Sequence, residues 1–232
     1  MMKKQASRKV LVISAHPDDE VLGCGATIAK HVALGDHVWI LILGKGVTSR
    51  KELSEIQKKR DLERLTKSAQ KASKILGVKK LILKNFPDNR FDTVPLLNII
   101  HEIEIVTDTF KPQIIYTHNQ SDVNIDHRKT LQAVESVIRP LSNTQIEQVL
   151  AFEVPSSTEW NFVRKSFRPN VFSQINEKNF DKKIMALKAY SAELRPFPHP
   201  RSPEYLRALV KLRGGQSGFP MAEAFELIYW RR

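Results

Sequence analysis

His16-Pro17-Asp18-Asp19-Glu20 follows directly on the apolar run Val10-Leu11-Val12-Ile13. An imidazole and three carboxylates at the end of a buried strand repel one another unless they share a cation, so the pattern points to a divalent metal. A catalytic zinc takes three protein ligands from His and Asp/Glu and leaves one position open. His16 and Asp19 can face one point across the turn, and His127, which opens a later helix after Asn124-Ile125-Asp126, is the candidate third ligand. Asp18 then sits beside the metal without binding it, where a general base is needed. The chemistry is hydrolysis of an unreactive acyl bond. Zinc is the expected ion, although the same nitrogen and oxygen donors suit iron or another divalent metal. Read without a metal, the first cluster is a solvated turn with an Asp cap, and His127 is a surface histidine at a helix start. His118 is open to three readings: a partner behind the ligands, an oxyanion donor, or a core histidine.

The elements that must position these groups alternate along the chain. Short aliphatic runs predict strands over Val10–Ser14, Val38–Leu43, Lys80–Leu83 and Ile114–Thr117. Apolar residues at helical spacing predict helices over Glu20–Leu34, Glu52–Leu76, Leu96–Phe110 and His127–Val137. Gly35 and Gly77 mark helix ends. The expected fold class is therefore α/β, a Rossmann-like, mostly parallel sheet flanked by helices, formed by residues 1–232 as a single domain. Beyond it come a strand over Val149–Val154, a Ser- and Pro-rich loop, helices over Asp181–Leu194 and Pro203–Leu212, and a last strand over Glu226–Trp230. Open sheets of this kind bind ligands beyond the carboxyl ends of their strands. His16–Glu20, Pro87–Asp92 and His118–His127 all fall there.

Composition narrows the classes. The chain has 37 Lys+Arg against 25 Asp+Glu, a formal net charge of +12, which suits an anionic partner or a solvated basic face. No nucleic-acid motif or aromatic interleaving accompanies the charge, so no nucleic-acid partner is expected. No apolar run reaches the roughly 20 residues of a membrane span, and Met1 to Lys9 carry no signal-peptide core, so a cytoplasmic address is expected. The lone cysteine, Cys24, excludes an internal disulfide and reads as a small buried residue. A dinucleotide fold is excluded at the first turn, because its carboxylates would repel a pyrophosphate. His31, His37 and His101 have no partner cluster and read as structural.

His16-Pro17-Asp18-Asp19-Glu20 after a first strand, with a later Asp126-His127, resembles the PIG-L/LmbE family of zinc-dependent N-acetylglucosaminyl deacetylases. Leu76-Gly77-Val78, Phe86–Asp92, Ser156–Trp160 and Pro198–Ser202 resemble further segments of bacterial members. The resemblance implies removal of an N-acetyl group from an amino-sugar substrate, with His16, Asp19 and His127 on the metal and Asp18 as base. It also assigns Asp126 to the acidic position beside the third ligand. Where many members read His-x-Asp-His, this chain has Asn124. An amide stabilises an oxyanion less strongly than an imidazolium, so His118 or His199 could supply the missing donor. Arg90, Asp92, Glu159, His199 and Arg201 are expected to grip sugar hydroxyls or an acidic aglycone, or else to form loop salt bridges. Trp160 is either a sugar-stacking ring or a loop-closing core aromatic. The competing class is a sugar-binding protein that keeps the metal and lacks turnover.

Overall fold

The computed structural model describes residues 7–46, 54–139, 145–163 and 166–231. Strand β1 (Lys9–Ser14) is buried from Val10 onward, as a central strand covered on both faces must be. It leads through α1 (Asp19–Ala33) to β2 (His37–Gly44), then α2 (Glu55–Leu76), β3 (Lys80–Phe86), α3 (Leu96–Phe110), β4 (Ile114–His118), α4 (Ile125–Val137) and β5 (Gln148–Phe152). β6 (Val171–Gln174), α5 (Glu177–Ala189), α6 (Pro203–Ser217) and β7 (Ala222–Trp230) complete the chain. The strands form one sheet in the order β3-β2-β1-β4-β5-β7-β6, parallel through β5, with β7 antiparallel to β5 and β6 antiparallel to β7.

The order reverses at β1. Its first crossover leads to β2 on one side, whereas β4 joins it on the other. That reversal opens a crevice between the carboxyl ends of β1 and β4, the place where sheets of this kind bind ligands.

Helices cover both faces. Val21, Ile28, Ala69, Leu76, Phe180 and Leu206 bury against one side of the sheet, and Ile99, Ile103, Val106, Ala133 and Val134 against the other. Helix α1 lies close on the sheet because Gly23 has no side chain: a Cβ there would stand 2.3 Å from the Phe152 ring. The helix is broken at Cys24 (φ −143°, ψ 23°). The buried amides past the break, Ala26 N and Thr27 N, donate to Glu223, and Lys183 Nζ donates to Leu22 O before it and to Glu223 at 2.6 Å.

Local chemistry sets the ends. Ser54 and Gln57 form a capping box at the start of α2, and Gly77 ends that helix in the left-handed conformation. The expected start of this helix at Glu52 lies outside the described residues. Helix α5 begins at Glu177, earlier than the expected Asp181, because Asn176 and Asn179 cap each other's backbone; it stops at Ala189 rather than Leu194. Helix α6 runs past the expected Leu212 to Ser217, since Gly214 accepts the close approach of Phe219 O, 2.6 Å from where a Cβ would be. The last strand starts at Ala222 instead of Glu226, and β6, too short and polar to stand out in the sequence, pairs along that extension. No helix among the described residues is long and apolar enough to cross a membrane.

Candidate metal centre and active site

Three loops meet at the crevice. The one after β1 carries His16 to Asp19, the one after β3 carries Asp88 to Phe91, and the one after β4 runs from Asn119 into α4. His16, Asp19 and His127, all buried, bring one donor atom each to a common point. Asp19 Oδ2 is 3.4 Å from His16 Nδ1 and 3.2 Å from His127 Nε2. Two ligands about 2.0–2.1 Å from a tetrahedral ion stand about 3.3 Å apart, so both edges fit ligands that could share one ion. Both ring nitrogens of His127 are buried without a hydrogen bond of acceptable geometry among the described residues, Nε2 beside Asp19 and Nδ1 beside Asp122.

Carboxylates hold both imidazoles from behind. His16 Nε2 lies 2.9 Å from Asp126 Oδ2 and 3.2 Å from Asp88 Oδ1. His127 Nδ1 lies 3.0 Å from Asp122 Oδ2. This is the arrangement in which a carboxylate fixes the tautomer of a metal-binding histidine and leaves the other nitrogen for the ion. His16, Asp88 and Asp126 also converge as a set, but on the far nitrogen of His16, so they orient that ring. Asp126 is fixed in turn by the amides of Asn89 (2.6 Å) and Phe91 (2.9 Å), and Asp122 by the hydroxyls of Ser157 and Thr158.

The electrostatics favour a cation. Burial alone would lower His16 and His127, yet the carboxylates around them raise them to about 10 and about 9. Burial would raise Asp19 and Asp122, but the imidazoles hold Asp19 well below the carboxylate range, and His127 and Ser157 hold Asp122 at about 2. A divalent ion would compete with the imidazole protons for the same carboxylate field.

Asp18 is buried beside the candidate ligands with φ +100°, a left-handed backbone that a side-chain-bearing residue adopts only when its surroundings impose it. Its amide donates to Glu20 Oε2 at 3.1 Å, and Glu20 Oε1 accepts from Tyr190. Arg201 Nη1 donates to Asp18 Oδ2 at 2.8 Å. Burial pushes the Asp18 carboxyl up to about 7 against the pull of this guanidinium, and Glu20 up to about 8. Asp18, the three candidate ligands, Asn124, Ser156, Glu193 and Arg201 line a cavity of about 270 Å³.

The other expected site residues fall in several places. Asn124 lines the cavity, but its Oδ1 caps α4 by accepting from Asp126 N at 2.8 Å, and its amide nitrogen donates to Asn89 Oδ1 at 3.2 Å. Asp126 is fully buried behind His16. His118 does not reach the cavity: it is fully buried, stacks on His127 at 3.9 Å, and accepts from Ala15 N through Nε2. Its Nε2 also stands 3.5 Å from Asp19 Oδ2, behind the candidate ligands, its buried Nδ1 has no hydrogen-bond partner among the described residues, and burial holds it well below its ordinary value. Arg90 and Asp92 are exposed and do not line the cavity; their segment engages the site through the Asn89 and Phe91 amides. Glu159 and His199 also stand outside the cavity; Glu159 accepts from the amides of Ser156 and Ser157. Trp160 is 45% exposed and is no core aromatic.

Asp88, Asp122, Glu193 and Ser156–Ser157 went unassigned in the sequence. Asp122 sits within the polar loop that ends in His127, and Asp88 lies two residues past the end of β3, so strand-end position was the available signal.

Comparison with known proteins bears on the family and the fold. The sequence model of the family described as PIG-L, GlcNAc-PI de-N-acetylase, matches residues 11–138. The uncharacterized deacetylase YaiS of Escherichia coli K12 is 30% identical over 191 residues, covering 79% of this chain and 90% of that protein. A diacetylchitobiose deacetylase of Thermococcus kodakarensis is 26% identical over 226 residues, 95% of this chain and 83% of the relative. Among solved structures, N,N'-diacetylchitobiose deacetylase from Pyrococcus horikoshii superposes with a TM-score of 0.76 at 20% identity, over 98% of this chain and 87% of that one.

Proposed function

The chain belongs to the PIG-L family, and from that premise we propose that it is a metal-dependent hydrolase that removes the acetyl group from an N-acetylamino sugar. The observation that carries this reading is the triangle of His16 Nδ1, Asp19 Oδ2 and His127 Nε2, with ligand-like edges, opening on a cavity that Asp18 also lines.

His16, Asp19 and His127 would hold a zinc or other divalent ion, which would supply a Lewis acid for the acetyl carbonyl and lower the pKa of water. Asp18 takes the proton from the attacking water at its carboxylate and returns it to the amine nitrogen as the C–N bond breaks, giving acetate and a free amine. Arg201 orients that carboxylate and, as a permanent cation, has no part in moving the proton. Asn124 holds an amide at the cavity wall, with one N–H engaged by Asn89 and a second available to the developing oxyanion. Asp88, Asp122 and Asp126 orient the ligands.

The test is acetate and amine release from N-acetylglucosamine conjugates with differing aglycones by zinc- or iron-loaded protein. Equimolar acetate and amine support the reading. A loaded protein that binds these conjugates and releases neither would be the binding protein instead.

A further inference from the structure

The wall that carries Ser156, Ser157, Glu193 and Arg201 does not end at the cavity. The same three chain segments continue into a groove of about 670 Å³ lined by Trp160, Phe197, His199, Tyr205, Glu159 and Arg195, with prolines between. Ser157 and Trp160 are three residues apart and Arg201 and His199 two, so the groove begins within roughly 7–11 Å of the cavity wall. The two depressions are also stitched together. Glu159 accepts from Ser156 N and Ser157 N, Arg201 N donates to His199 Nδ1 at 3.1 Å, and Arg201 Nε donates to Ser156 Oγ at 2.8 Å.

The groove has no structural reason to stay uncovered. Trp160 is 45% exposed and Phe197 63%, large rings left facing water. The Trp160 indole is braced at one side by His199, whose ring meets it edge-on at 5.8 Å and 84°. The rim is polar, with a carboxylate, a guanidinium and an imidazole. An aromatic face ringed by hydrogen-bonding groups matches a pyranose, whose C–H face is drawn to the negative face of a π-system while its hydroxyls reach the rim.

We propose that this groove is a second sugar subsite, taking the ring glycosidically joined to the N-acetylated residue in the cavity, with that second ring stacked on Trp160. The inference rests on the deacetylase reading for the cavity. It makes the preferred substrate an oligosaccharide rather than a free N-acetylamino sugar.

The experiment compares N-acetylglucosamine with N,N'-diacetylchitobiose on metal-loaded wild type, Trp160→Ala and Trp160→Phe. Wild type should favour the disaccharide in kcat/KM. Trp160→Ala should lower that constant roughly three- to tenfold for the disaccharide, mainly through KM, and leave the monosaccharide unchanged, while Trp160→Phe recovers most of the loss. Equal effects on both sugars, or none on either, would overturn the subsite. Calorimetric binding of the disaccharide to Asp18→Asn, with and without Trp160→Ala, separates the two proposals. If no sugar is deacetylated yet disaccharide binding weakens without Trp160, the groove stands and the hydrolase falls. If amine is released but binding ignores Trp160, the groove falls alone.

Discussion

Arg201 donates to the Asp18 carboxylate at 2.8 Å across 183 residues of sequence, so the last third of the chain completes a site begun in its first loop. The same guanidinium reaches Ser156 Oγ at 2.8 Å and Glu193 at 3.4 Å, and the fork is thereby held in one orientation. Arg201→Gln should lower kcat/KM by roughly ten- to a hundredfold with no change in metal content, because it loosens the base and leaves the ligands alone. Steady-state rates and metal analysis on one preparation check this; loss of metal with the rate would assign Arg201 to the metal centre instead.

Asp126 and Asp122 stand behind the two candidate metal-ligand imidazoles at 2.9 and 3.0 Å. Asp126→Asn and Asp122→Asn should each weaken metal affinity by roughly ten- to a hundredfold. Chelator competition measures it. Affinity equal to wild type in both variants would show that these carboxylates do not orient the ligands.

The buried pair Lys183 and Glu223, 2.6 Å apart, spans the break in α1. Lys183→Met leaves Glu223 buried with only the Ala26 and Thr27 amides and should cost about 3–5 kcal/mol in urea unfolding. Adding Glu223→Gln removes the stranded charge, keeps an acceptor for those amides and should restore part of the loss. A double variant less stable than the single would contradict this account of the break.

The pH dependence of stability should carry the signature of His31, which lies 2.7 Å from Asp36 and 2.9 Å from Tyr116 Oη. Burial lowers its pKa below 6.5, more than Asp36 raises it. As pH falls below 6.5 the unfolded chain takes up this proton before the folded one, so the contribution is full above that pH and is lost on acidification. Burial would raise Asp36, yet the Arg8 amide and His31 hold it below 3.8; its contribution is present above 3.8 and is lost as pH falls through the lower folded value. Between pH 7 and 5 the urea midpoint of His31→Gln should fall less than that of wild type, and parallel slopes would refute the assignment.

Much of the site was legible because it is local. His16 to Asp19 sit on one turn after a strand whose apolar run is unmistakable, and the alternation of strands and helices placed that turn at a strand end. What stayed hidden depends on contacts between distant loops. Asp88 and Asp122 reach the imidazoles only once the loops after β3 and β4 converge, and strand-end position alone does not say which residue of each loop will do so. Arg90 and Asp92 attracted attention as charges near a strand end, but their segment turns Phe91 inward and offers backbone amides to Asp126. Asn124 looked like a weakened oxyanion donor; half of its amide group is committed to capping α4. Trp160 could have been core or surface, and only the packing of Ser156–Trp160 against Arg201 and His199 leaves it at the surface.

Metal content and acetate release, measured on one preparation of wild type beside Asp18→Asn, bear most directly on the proposed chemistry. Asparagine is the substitution of choice because it tolerates the left-handed backbone at this position better than alanine. Wild type should hold about one divalent ion per chain and release acetate from an N-acetylglucosamine conjugate. Asp18→Asn should keep the ion and lose at least about a hundredfold in turnover. A protein that retains no ion after zinc or iron loading, or an Asp18→Asn variant as fast as wild type, would contradict a hydrolase built on His16, Asp19, His127 and Asp18.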